Sequence, residues 1–264
     1  MMDDRLDAID WDIAWAGILD NSWPMSWNLC LAFIPLTLSL VLFHSPRSLI
    51  LRWGVWLLLL ITALPNLTRL QEFTAMLVAK VGVGLWLGLL AGGLGAIGLG
   101  QWAIGRSILW WLGCLVFILF LPNAAYILTD VIHFVIDVRK GYPMGTVIGI
   151  LLPQYLLFIT VGFQAYVVSL LNVGYFLVQR GQPQQVKWME LSLHVLTAIG
   201  VYLGRFARFN SWDVLTHPSR LLQTLQTTFL EPHTWVVMGV LFGVFSGSYW
   251  LAKRVTIGLL WQSV

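Results

Sequence analysis

Long apolar runs separated by short polar breaks dominate this chain, and their lengths predict membrane-crossing helices. Runs at residues 27–43, 49–64, 74–98, 107–121, within 145–178, 188–204 and 234–251 give about seven spans. A span needs about 20 apolar residues to cross a hydrocarbon layer about 30 Å thick. The breaks have recognisable chemistry. His44-Ser45-Pro46-Arg47 reads as a tight turn, and Pro65-Asn66 and Pro122-Asn123 read as the ends of spans two and four, since proline removes a helix donor. The run 145–178 is too long for one perpendicular crossing and too short for two. Pro153 is therefore expected to separate an interfacial start from a tilted span.

Two further segments carry helical periodicity without the length of a span. Residues 5–20 place Leu6, Ile9, Ile13 and Ala16 at helical spacing among acids, and residues 219–230 place Leu221, Leu222, Leu225 and Phe229 on one face. Both predict amphipathic helices lying on the membrane surface. Trp23 and Trp27 suit the water–lipid boundary before span one. The expected fold class is all-α: a polytopic transmembrane helix bundle with interfacial helices. Its organisation is an acidic N-terminal interfacial segment (1–26), a single transmembrane domain (27–254) and a C-terminal tail (255–264).

Composition agrees. Hydrophobic residues make up 58% and charged residues 10%, against about 25% charged in a soluble domain. The net charge of +3 hides an asymmetry: Asp3, Asp4, Asp7, Asp10, Asp12 and Asp20 lie in the first twenty residues, and beyond them 14 bases face 6 acids. The bases are scattered between apolar runs, which suits membrane anchoring and excludes a nucleic-acid-binding stripe. Lys and Arg divide seven against seven between the two faces, so this rule leaves orientation undecided; the acidic start and basic Lys253-Arg254 pair favour an outside N-terminus. The acidic start also argues against a secretory signal peptide. Cys30 and Cys114 sit in separate apolar runs and predict neither a metal site nor a disulfide.

Seven spans would place the N-terminus, Pro65-Asn66, residues 123–140 and residues 205–218 on one face, and two of these segments carry candidate chemistry. After Asn123, residues Tyr126, Asp130, His133 and Asp137 form one helical stripe, with Leu128, Val131, Ile132 and Val135 on the apolar side. Three readings stay open: an amphipathic helix with its polar face in water, a polar pocket, or an Asp130–His133 pair serving as acid–base couple or as two metal ligands. In the second segment Arg205 and Arg208 stand one turn apart at a helix end, followed by Asn210, Ser211, Trp212 and Asp213. Anchoring, dipole compensation and capping explain most of this. The alternative is an arginine pair gripping phosphate or carboxylate.

Other features have structural explanations. Gly84, Gly88, Gly92, Ala96 and Gly100 form a small-residue ridge that lets a helix approach closely, within the chain or between copies or partner proteins. Glu190, His194, Thr197 and Arg205 share a face of span six, and ionisable groups there usually turn inward. Gln154, Gln164 and Asn172 suit interhelical hydrogen bonds, and Lys80 reaches for the interface. No metalloprotease, nucleophile-elbow or P-loop pattern occurs.

The stretches 27–36 (WNLCLAFIPL), 120–134 (FLPNAAYILTDVIHF) and 203–215 (LGRFARFNSWDVL) resemble an uncharacterised bacterial membrane family, domain of unknown function 1361. The resemblance implies a multi-pass protein integral to a bacterial membrane, the plasma membrane first, and brings no activity. The glycine-rich region of span three looks like an addition to that family's core.

Together these readings favour a binding or transport-type protein over an enzyme. Its ligand would be an anionic lipid head group or small anion. Arg205 and Arg208 would supply charge, and Asn123, Tyr126, Asp130, His133, Asn210 and Asp213 would shape the pocket. No cofactor is implied. A membrane-embedded enzyme using His133 and Asp130 remains open, as does an assembly subunit packing through the Gly84-Gly88-Gly92 face.

Overall fold

The computed structural model describes residues 11–43, 49–81, 108–211 and 213–261. The His44–Arg47 turn, the Gly84–Gly100 ridge and Trp212 lie outside them. Every described element is helical: α1 (Trp11–Leu42), α2 (Leu49–Ala63), α3 (Leu67–Val81), α4 (Ile108–Tyr126), α5 (Val131–Val138), α6 (Leu152–Gln179), α7 (Gln185–Arg205), α8 (Pro218–Leu230) and α9 (Pro232–Trp261).

Among the described residues, four stretches are long and apolar enough to cross a bilayer: Ala14–Leu42, Trp110–Val138, Met144–Gln179 and Pro232–Gly258. The chain is therefore a membrane protein. Helix α7 has 21 residues, enough for about 30 Å, but its charges lower its hydropathy. Two of those charges, Glu190 and Arg205, are satisfied inside the protein, while Lys187 near the helix start is exposed. Glu190 accepts from Tyr249 and Lys253, each at 2.6 Å, and Arg205 donates to Asp130.

Several expected boundaries shift because prolines do not break these helices. The described part of the expected N-terminal surface helix, from Trp11 on, and span one form one continuous helix, α1, with Pro24 and Pro35 inside it; residues 5–10 lie outside the described residues. Around Pro24 the hydroxyls of Ser22 and Ser26 bond back to the carbonyls of Ile18 (2.6 Å) and Trp23 (2.9 Å). Pro122 likewise lies inside α4, which passes through a 3₁₀ turn (Ile127–Asp130) straight into α5. Residues 123–138 thus continue span four. In the long run beginning at 144, a π-helical turn (Val147–Leu151) immediately precedes α6, with Pro153 in the first turn of α6. The helix type changes where the interfacial break was expected. Helix α8 buries no residue, as a surface helix should. Helix α9 continues to Trp261, into the segment read as a tail.

Helix α1 packs against α2, α4 and α6, while α7 joins α4 to α9. The core between them holds Leu121, Ile127, Tyr166, Leu170, Val201 and Phe245, all nearly inaccessible. At the end formed by Leu42, Trp110 and Phe176, Phe43 contacts Phe117 (5.2 Å) and Phe176 (5.5 Å) edge-on. Two glycines permit the close approaches that shape the opposite end. A Cβ on Gly200 would lie 2.5 Å from the Pro122 ring, and one on Gly162 would lie 2.2 Å from Ile127 Cδ1. The first seats α4 on α7; the second seats the 3₁₀ turn on α6.

Candidate functional site

The polar residues gather at one end of the bundle. Asn66 donates to Ser26 Oγ (3.0 Å), and Arg69 lies 5.6 and 5.7 Å from the ring centres of Trp23 and Trp27. Asn123 donates to Ser211 Oγ at 2.8 Å. The segments that span parity places on one face therefore meet there: the end of α2, the end of α4 and the loop after α7.

The two carboxylates of the stripe on the α4–α5 segment turn inward, while His133 stays largely exposed. Asp130 and Asp137 are 2% and 4% exposed, whereas Val131, Ile132, Val135 and Ile136 are 43–50% exposed. The reading with the polar face in water is thus inverted: the carboxylates face the bundle and the aliphatic side chains face outward. A buried carboxylate requires partners, and each of these has several. Asp130 accepts from Asn28 at 2.8 Å on one oxygen and from Arg205 at 3.2 Å on the other. Asp137 accepts from Asn21 (2.8 Å) and Tyr155 (2.9 Å), and Lys140 Nζ lies 2.7 Å away. This contact raises the Lys140 pKa above its ordinary value, the hydrogen bond to Asp137 being the main cause. Asn21 and Asn28 are seven residues apart on α1, as are Asp137 and Asp130 on the facing segment.

Arg205 is the hub. One terminal nitrogen donates to Tyr126 OH (2.6 Å) and Asp130, and approaches His133 Nε2 (3.3 Å); the other donates to the Thr129 carbonyl (2.9 Å). Its carbon sits 4.9 Å from the Tyr126 ring centre. His133 is largely exposed, with Nε2 3.7 Å from Asp130, beyond hydrogen-bond range. Among the described residues no three His, Cys, Asp or Glu side chains converge to hold a metal ion.

The expected arginine pair diverges. Helix α7 ends at Arg205, and the chain leaves through Arg208 in a left-handed conformation (φ 55°), its side chain exposed. The Asn210 backbone N–H donates to Asp213 at 2.7 Å, and Thr216 and His217 meet the other Asp213 oxygen at 3.2 Å. Asp213 thus closes a local turn as a capping carboxylate does, away from the Asp130 cluster.

Two cavities flank the cluster. The larger, about 310 Å³, is bounded by α1, α4, α7 and the loop after α7; its polar lining is Asn28, Asn123, Tyr126, Asn210 and Ser211. Farther along the helices from the polar end its wall is Leu31, Ile118, Leu119, Leu196 and Ile199, of which Ile118 and Leu196 are exposed on the bundle surface. The smaller, about 200 Å³, is lined by Asn21, Asn28, Asp130, His133, Asp137, Lys140 and Tyr155 together with apolar neighbours. Sequence reasoning missed Asn21, Asn28 and Tyr155. The available signal was the seven-residue spacing of the two asparagines, matching that of the two aspartates.

Fold and site together define a helical membrane protein with a charge-paired polar end beside an amphipathic cavity. Residues 97–246 match a family described as a protein of unknown function, DUF1361, and the chain belongs to it. The match takes in Arg205 and the whole Asn123–Asp137 segment and leaves α1 to α3 outside. No curated protein and no solved structure matches the chain.

Proposed function

We propose that this protein binds an anionic amphiphile of the lipid class in the larger cavity, with the head group at the polar end and the apolar chain between α1, α4 and α7. The observation that carries this reading is the change in lining along the cavity. From Gly204 down to Leu196 on α7 is about 12 Å of helix. Over that depth the wall passes from asparagine, tyrosine and serine side chains to leucine and isoleucine. Ligand pockets combine such an apolar body with a few convergent polar groups, and about 310 Å³ lies at the lower end of their range. Preference for negative charge comes from the rim. Arg208, exposed, precedes the lining residue Phe209 in the chain, and the Arg220 guanidinium lies 5.2 Å from the Phe209 ring centre.

The test is mass spectrometry of lipids retained by protein extracted directly into native nanodiscs. Anionic lipid should be enriched over the surrounding membrane. Ile199→Trp, which fills the apolar part, should abolish the enrichment. Arg208→Ala with Arg220→Ala should keep a bound lipid but lose the anionic preference. A lipid profile equal to the bulk membrane in the native chain overturns the proposal.

A further inference from the structure

The two cavities share the lining residue Asn28, and Arg205, which lines neither, bonds to one lining residue of each. Asn28 lines both; Tyr126 lines only the larger and Asp130 only the smaller. One terminal nitrogen of Arg205 donates to both of these lining residues, to Tyr126 at 2.6 Å and to Asp130 at 3.2 Å. The shorter contact points to the larger cavity. The contact with Asp130 exceeds the roughly 2.7–2.9 Å usual for a charge-assisted bond and involves one nitrogen and one oxygen. The second prong of the guanidinium serves the Thr129 carbonyl instead. Arg205 therefore holds Asp130 without closing its planar fork on it, and the hydroxyl of Tyr126, a residue lining the larger cavity, is the closer partner.

We infer that Arg205 is an exchange point between the two cavities: an anionic head group in the larger one takes over the guanidinium, and Asp130 then takes up a monovalent cation, a proton or an alkali ion, from the smaller one. The inference rests on the lipid-binding reading and adds to it a second ligand and a coupling. Charge accounting requires the second step. Asp130 is almost fully buried, and a buried carboxylate that loses its cation is strongly destabilised unless the charge is cancelled.

The groups facing Asp130 identify where the cancelling charge comes from. On its own segment they are Tyr126, engaged by Arg205, and His133, largely exposed at 3.7 Å. From α1 comes Asn28, which is neutral and holds the other oxygen. From α7 comes Arg205 itself. Lys140 and Tyr155 are committed to Asp137. Among the described residues the other group within ionic range of Asp130 is His133, a cation only when it has taken up a proton, so the replacement charge comes from outside. The smaller cavity provides room for it: about 200 Å³ is the bulk volume of several waters at about 30 Å³ each.

The experiment is titration calorimetry of the full chain in neutral detergent with a short-chain phosphatidylglycerol, and with phosphatidylcholine as the neutral comparison. It is run in buffers of different ionisation enthalpy and in sodium, potassium or bulky organic-cation salts. The native chain should either take up close to one proton per phosphatidylglycerol bound or bind it more weakly when alkali ions are replaced. These two results identify the proton and the alkali ion respectively. Asp130→Asn removes the competing charge while keeping an amide of the same shape, and should bind the anionic lipid about tenfold more tightly, with no cation linkage. Native binding with neither proton uptake nor alkali-ion dependence overturns the coupling alone and leaves the lipid site standing. This arm needs no variant to fold. A folded Asp130→Asn that binds no more tightly has the same consequence. A native chain that binds no phosphatidylglycerol removes the lipid reading and the coupling with it.

Discussion

Substituting Gly162 by alanine tests whether the turn that carries Asp130 is seated on α6 as described. An added Cβ would lie 2.2 Å from Ile127 Cδ1, 3.0 Å from Cγ2 and 3.2 Å from Cγ1. Carbon atoms prefer about 3.5–4.0 Å, so the first contact requires a shift of more than an ångström. Ile127 is fully inaccessible, so its Cδ1 must shift within the packed core. Overpacking of this kind costs about 1–3 kcal/mol, offset by the roughly 0.5–1 kcal/mol that alanine gains over glycine in a helix. A net loss of about 0–2.5 kcal/mol follows. Ile127→Val deletes the clashing atom at its own cost of about 0.5–1.5 kcal/mol. Combined with Gly162→Ala it should relieve the clash, giving a coupling of at least about 1 kcal/mol. Gly243→Ala on α9, where a Cβ meets nothing within 4 Å, is the control and should not destabilise. The assay is thermal unfolding in mild detergent followed by tryptophan fluorescence. Gly162→Ala as stable as Gly243→Ala, or strict additivity with Ile127→Val, would refute the packing argument.

Two further predictions concern the polar end. Arg205→Lys keeps the charge but replaces a two-pronged donor with a point charge, so Asp130, Tyr126 and the Thr129 carbonyl cannot all be served. The expected loss is about 1.5–3 kcal/mol of stability, read from the same unfolding curves, and an unchanged midpoint would contradict the hub role. Cysteines placed at Asn123 and Ser211, in a background without Cys30 and Cys114, should react with a membrane-impermeant reagent from the same side, because the native side chains meet at 2.8 Å. Labelling from opposite sides would dissolve the shared polar end.

The candidate residues were legible in unequal measure. Asp130, His133, Tyr126 and Arg205 stood out because ionisable and polar groups are conspicuous in an apolar chain, and the structure brings all four together around one guanidinium. Arg208 and Asp213 stood out for the same reason but serve elsewhere: Arg208 as the left-handed exit from α7, Asp213 as a local cap. That distinction depends on backbone dihedrals, which residue type does not report. Asn28 was quoted only as part of a resemblance. A single asparagine in a span reads as generic interhelical glue until the partner helix is in place.

The apolar run lengths alone determined that this chain forms membrane-crossing helices, because a bilayer of known thickness accepts only segments long enough to satisfy their own backbone hydrogen bonds. The grouping of polar segments at one end also followed from counting crossings. Tertiary structure decided which way each helix is rotated and where it stops. Proline signals a break in water, yet α1 and α4 run through theirs. Residues 131–138 have two usable faces, and the inward one is set by partners 102 and 75 residues away from Asp130 in sequence, Asn28 and Arg205. The rotation of an amphipathic helix follows from whatever meets its polar side, water or protein, and this is a property of the assembled bundle.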